Sequence, residues 1–194
     1  MSCLVTLRPS SNPAAPSALP SRSPVSPAGS PSPFAGAQAL DRTADYDQVF
    51  RVVRDAVRYA LHIERPGLGL GLSDLPPSLG AYWQVTGNLI VLNEGLVGTM
   101  RAHAASSTEF NSFVYVILAH EYLHALGYLD ETEVRRVTAY VTRVAFGDEH
   151  PATRMAQGDL WQMFPFLRFA PMGQGRHLKV VTRFDLDTTR QYIR

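Results

Sequence analysis

Apolar positions first fall into a regular pattern at Val49, Phe50, Val52, Val53, Ala56, Val57, Ala60 and Leu61, a stripe of helical period. It predicts a first helix, with Thr43 as N-cap and an end before Pro66. GLGLGL at 67–72 alternates glycine with leucine, which predicts an extended segment whose leucines face the core, and DLPPSLG at 74–80 reads as loop. AYWQV at 81–85 and NLIVLN at 88–93 flank Thr86 and Gly87, so two short β-prone runs are expected to close a hairpin. A short helical stretch from Glu94 to Ala104 follows the second run.

The most apolar segment is TEFNSFVYVILAHEYLHALG, residues 108–127. Ser106 and Glu109 have the capping-box spacing that opens a helix, Phe110, Phe113, Val114, Ile117 and Leu118 mark its buried side, and Gly127 occupies the C′ position. Asp130 and Glu133 repeat the capping-box spacing and open a second helix, Glu131 to Phe146, with Val134, Val137, Val141 and Val144 on one face. Pro151 suits the first position of a shorter helix reaching about Trp161. A loop with Met172 and two glycines and a strand candidate, HLKVVTRF at 177–184, complete the chain. Helix, strands, further helices and a late strand predict an α+β fold in one domain over residues 41–194.

The periodicity is missing from the first forty residues. SSNPAAPSALPSRSPVSPAGSPSP at 10–33 places proline every few residues, where neither helix nor sheet keeps its backbone hydrogen bonds. Residues 1–40 are therefore expected to be a disordered leader, a tail or spacer rather than a polyproline ligand. At 194 residues with a net charge of +1, the chain has room for one substantial core and no basic excess that would suit nucleic acid. Its basic charge is almost all arginine, Lys179 being the sole lysine. Cys3 is the only cysteine, so no disulfide forms within the chain. No stretch approaches the roughly 18 apolar residues of a membrane helix, and the expectation is a soluble, cytoplasmic protein.

Chemistry concentrates in HEYLHALGYLDE, residues 120–131. On a helix His120 and His124 lie one turn apart on one face, so both imidazoles can reach one ion at about 2.0–2.1 Å. Glu121, rotated by about 100°, can contact a water on that ion without being a ligand, which suits a general base. Two histidines and a glutamate continuing the apolar VYVIL are costly to bury without a partner. HEYLHALGYLD resembles the extended HExxHxxGxxH/D signature of zincin metallopeptidases. The resemblance implies a zincin-like domain, Zn²⁺ held by His120, His124 and Asp130, Glu121 activating a zinc-bound water, and hydrolysis of peptide or protein substrates.

The third ligand stays open. Asp130 also suits an N-cap role, and one carboxylate cannot easily serve both. If the two long helices pack antiparallel, Glu133 faces the histidines. His150 and Glu149 are chemically suitable but a 16-residue helix carries them roughly 20 Å away. Met155, Met163 and Met172 are candidates for a supporting turn, Tyr82 and Trp83 for a substrate pocket beside a sheet edge, and Tyr128, Tyr140, Arg136 and His177 for oxyanion contacts. LHALGYLD also resembles LHLLGYDH of a bacterial metal-dependent endoribonuclease family, from which this chain departs at Glu121 and Asp130. A non-catalytic binding protein that keeps the fold is the third alternative.

Overall fold

The computed structural model describes residues 34–181, apart from Ala44, Thr86 and Arg176. The Pro/Ser tract up to residue 33, Cys3 and the last part of the predicted strand, 182–184, lie outside the described residues.

A short helix absent from the sequence reading, α1 (Gly36–Arg42), crosses the expected boundary at residue 40. Its Leu40 is fully buried, and the buried Asn111 amide donates to the carbonyls of Leu40 at 2.7 Å and Thr43 at 2.8 Å. With one buried residue it has too little apolar stripe to be legible by period. The next helix, α2 (Tyr46–Leu61), is capped by Asp45, whose Oδ1 accepts from the Asp47 N–H at 3.0 Å. Thr43, the expected cap, instead ends α1 and donates to Gln48 Oε1 at 2.6 Å.

Strands β1 (Gly69–Ser73), β2 (Ala81–Trp83), β3 (Leu89–Asn93) and β4 (Leu178–Val180) form one mixed sheet in the order β2-β3-β1-β4. The expected hairpin is present as the antiparallel β2–β3 pair, with shorter strands and a longer connection than the composition suggested. β1 pairs parallel to β3, Gly69 opposite Leu89 through Ser73 opposite Asn93, and antiparallel to β4. Both faces of β1 are buried, rather than one. Glycine makes this possible, since a Cβ at Gly71 would stand 2.8 Å from Leu178 Cδ1.

Asn93 ends β3 and caps α3 (Glu94–His103), its Oδ1 accepting from the Gly95 and Leu96 N–H groups. Its amide donates to the carbonyls of Leu75, Pro76 and Leu79, so one buried side chain organises the loop predicted over 74–80. At the centre runs α4 (Ser107–Ala125), capped by Ser106 as expected, with every residue from Phe110 to Ala125 buried. The single buried face read from the sequence is thus a helix enclosed all round, by α1, α2, the sheet and the helices that follow. Those are α5 (Glu131–Phe146), α6 (Pro151–Gln157) and α7 (Leu160–Met163), then a 3-10 turn at Pro165–Phe169. On α5, Val134, Val137 and Val141 are buried whereas Val144 is exposed. The helix expected to reach Trp161 breaks at Gly158, after which Asp159 caps a new turn by accepting from the Trp161 N–H at 2.8 Å. The described residues form an α+β domain, in which no helix is long and apolar enough to cross a membrane.

Candidate metal centre

The last two turns of α4 carry His120, Glu121 and His124, all buried. Beyond it the chain reverses through Gly127, whose φ of 103° suits glycine. The Gly127 N–H bonds the His124 carbonyl at 3.0 Å and the Tyr128 N–H the Leu123 carbonyl at 3.2 Å, so two helix-end carbonyls are satisfied. The same reversal sets the Tyr128 carbonyl 2.8 Å from His124 Nδ1. A carbonyl only accepts, so Nδ1 carries the proton and Nε2 presents a lone pair.

Two imidazole nitrogens and both oxygens of one carboxylate then converge. His124 Nε2 is 3.1 Å from His120 Nε2, and the Glu131 carboxylate reaches both, Oε1 at 3.2 Å from His124 Nε2 and Oε2 at 3.3 Å from His120 Nε2. Edges of a tetrahedral site with ligand bonds near 2.05 Å are about 3.3 Å long, so the three separations fit one small cation. Burial pushes the His124 imidazole below its usual range, His120 beside it adding to the effect. An uncharged imidazole lone pair facing a carboxylate oxygen sets acceptor against acceptor, an arrangement that a cation between them relieves. The group can hold a metal ion.

His120 and His124 lie together as their spacing predicts; the carboxylate that joins them is not the expected one. Asp130 Oδ1 accepts from the Glu133 N–H at 2.8 Å, so its side chain caps α5 and is exposed. Glu131, the first residue of α5, takes the place expected for Asp130. Glu133, the second candidate, lies beside the Tyr128 phenol, which burial and the Glu133 charge push upward. His150 caps α6 through Nδ1 and stands 3.4 Å from Asp41, tying α6 to α1. The competing cap role of Asp130 was the one available signal, because a carboxylate committed to its own helix leaves the next one free to turn inward.

Glu121 is fully buried, with Oε2 accepting from the backbone N–H of Trp83 at 2.9 Å. Its Oε1 has no hydrogen-bond partner among the described residues. Burial pushes the carboxyl up to about 8, the Trp83 N–H opposing and the Glu131 carboxylate reinforcing the rise. Trp83 does not line the cavity beside His120; its indole donates to the Gly87 carbonyl at 3.2 Å and lies under the Arg65 guanidinium, 5.1 Å from the ring centre. Arg65 also donates to the Ala125 carbonyl at 2.6 Å and to that of Gly87 at 3.1 Å, joining the end of α4 to the hairpin. Of the four oxyanion candidates, Arg136 shares a cavity with His120, while Tyr140 and His177 are exposed and Tyr128 contributes its carbonyl. Met155 lines that cavity and Met163 and Met172 are exposed. Compared with protein families, with curated proteins and with solved structures, the chain matches none.

Proposed function

We propose that the chain is a zinc-dependent peptidase of zincin type that hydrolyses peptide bonds in polypeptide substrates. The observation that carries the reading is the convergence of two imidazoles and one carboxylate, all three pairs 3.1–3.3 Å apart, with a second carboxylate, that of Glu121, outside the cluster on the Trp83 N–H. Two nitrogen donors favour zinc over magnesium or calcium, which prefer oxygen. When bound, the ion supplies a Lewis acid for the scissile carbonyl and an acidified water.

His120, His124 and Glu131 would hold the ion, and the Tyr128 carbonyl orients His124. Glu121 would accept at Oε1 the proton released by the attacking water while Oε2 stays on the Trp83 N–H, and return it to the leaving amine as the C–N bond breaks. The strand edge supports a peptide substrate. Gly80 and Gln84 use their backbone groups on β3, so the alternating groups of Ala81 and Trp83 point to the outer edge. On that edge Glu121 takes the Trp83 N–H, which sets the candidate base beside the strand.

The test is metal analysis of the purified chain together with turnover of an unfolded protein by wild type and Glu121→Gln. Zinc retained in both and turnover lost in the variant supports the mechanism; equal turnover overturns it.

A further inference from the structure

Beside His120 a cavity of about 410 Å³ opens between α4, α5 and α6, within the size range of ligand pockets, roughly 300–1,000 Å³. Its walls are mainly apolar, with Phe113, Val116 and Ile117 of α4 facing Met155, Leu160 and Trp161. Charge gathers on one wall, where α5 contributes Arg135 and Arg136. Neither arginine forms an ion pair among the described residues. The acid that also borders the cavity, Asp159, has its Oδ1 committed to the N–H groups of Trp161 and Gln162.

Position along α5 ties these arginines to the metal centre. Arg135 follows Glu131 by four residues and so rises on the same helix face, one turn, about 6 Å, beyond the carboxylate that joins the two imidazoles. An extended peptide advances about 3.3 Å per residue. A carboxylate that meets the arginines therefore belongs one or two residues away from the bond held at the centre.

We propose that this cavity is a specificity site for a bulky apolar side chain accompanied by a carboxylate, which Arg135 and Arg136 hold. That carboxylate comes from a neighbouring acidic residue or from the free C-terminus of a short peptide. The proposal rests on reading the centre as a peptidase site, and it adds a substrate class to that reading. Paired guanidinium contacts suit a carboxylate because each offers a planar fork of donors.

Binding separates the two ideas, since it needs no turnover. The zinc-loaded full chain carrying Glu121→Gln is titrated by fluorescence anisotropy with labelled peptides alike except at their last two residues: Phe-Glu amide, Phe-Gln with a free carboxylate, Phe-Gln amide and Ala-Glu amide. One of the two phenylalanine peptides bearing a carboxylate should bind about tenfold more tightly than Phe-Gln amide and than Ala-Glu amide. Which one does so tells an acidic side chain from a chain terminus. Replacing both arginines, Arg135→Gln with Arg136→Gln, should erase the carboxylate preference, with a thermal melt confirming that the variant folds. Equal binding of all four peptides, absence of binding, or a preference that survives both substitutions overturns the proposal. Wild-type cleavage of an unfolded protein without any such preference leaves the peptidase reading standing and removes only this one; a preference in binding without any cleavage does the reverse.

Discussion

His124 Nε2 stands 3.1 Å from His120 Nε2, while its Nδ1 is held by the Tyr128 carbonyl at 2.8 Å. One imidazole thus touches both the centre and the turn that follows its helix. The turn does not merely end α4; it selects the tautomer that leaves a lone pair aimed at His120 and Glu131.

The choice between Asp130 and Glu131 is tested directly. Glu131→Gln should lower zinc affinity by ~100-fold or more, since outer-shell losses alone cost 10–100-fold. Asp130→Asn keeps a capping oxygen and should leave affinity nearly unchanged, whereas Asp130→Ala should cost about 1 kcal/mol of stability as a lost N-cap. Calorimetric zinc titration and urea denaturation read the two effects separately.

Metal removal should destabilise the fold. A chain bound at a hundred times its dissociation constant gains about 2.7 kcal/mol from the ligand. For a domain of this size chelation should then lower Tm by ~5–10 °C, measured by calorimetry with and without a chelator. A Tm indifferent to zinc would show that the three side chains hold no zinc.

Glu121→Gln should reduce turnover by roughly 10²–10⁴, the usual contribution of a general base, with zinc content unchanged. Its amide oxygen can still accept from the Trp83 N–H, so the contact between α4 and β2 persists. The chelated variant should also be at least as stable as the chelated wild type at neutral pH, because a fully buried carboxyl is replaced by a neutral isostere. Equilibrium unfolding in chelator compares them.

Gly127→Ala puts a Cβ on a residue with φ of 103°. Nothing lies within 4 Å of that position, so the cost is backbone strain alone, roughly 1–2 kcal/mol. If the turn orients His124, zinc affinity should fall as well; a loss of stability with affinity intact would show that the turn only terminates the helix.

Arg65→Ala removes the two hydrogen bonds to Ala125 and Gly87 and the stacking on Trp83. The expected loss is about 2–4 kcal/mol, since two carbonyl contacts of a charged group are lost together. Lys at this position restores neither the fork nor the planar stacking and should recover little. Urea unfolding checks the magnitude, and a lower kcat with KM unchanged would show that Trp83 positions Glu121.

Much of the site can be read from local spacing. Two histidines four apart on a helix share a face whatever surrounds them, Ser106 and Asp130 cap where their capping-box spacing says, and Gly127 marks the helix end because few other residues accept its backbone angles. These relationships lie within one or two turns, where chain geometry alone sets the distances. Other contacts join residues far apart in sequence. Glu121 meets the backbone of Trp83 across 38 positions, β1 pairs with β3 in parallel around β2, and a helix read as one-sided is buried all round. Tertiary packing also settled which acid faces the histidines: Glu131 reaches both imidazoles while Asp130 stays on its own backbone. The sequence by itself determined that two imidazoles share one helix face and where the turn after them falls; only the packed structure decided which carboxylate meets them and the partner of Glu121, because those depend on how separate elements meet.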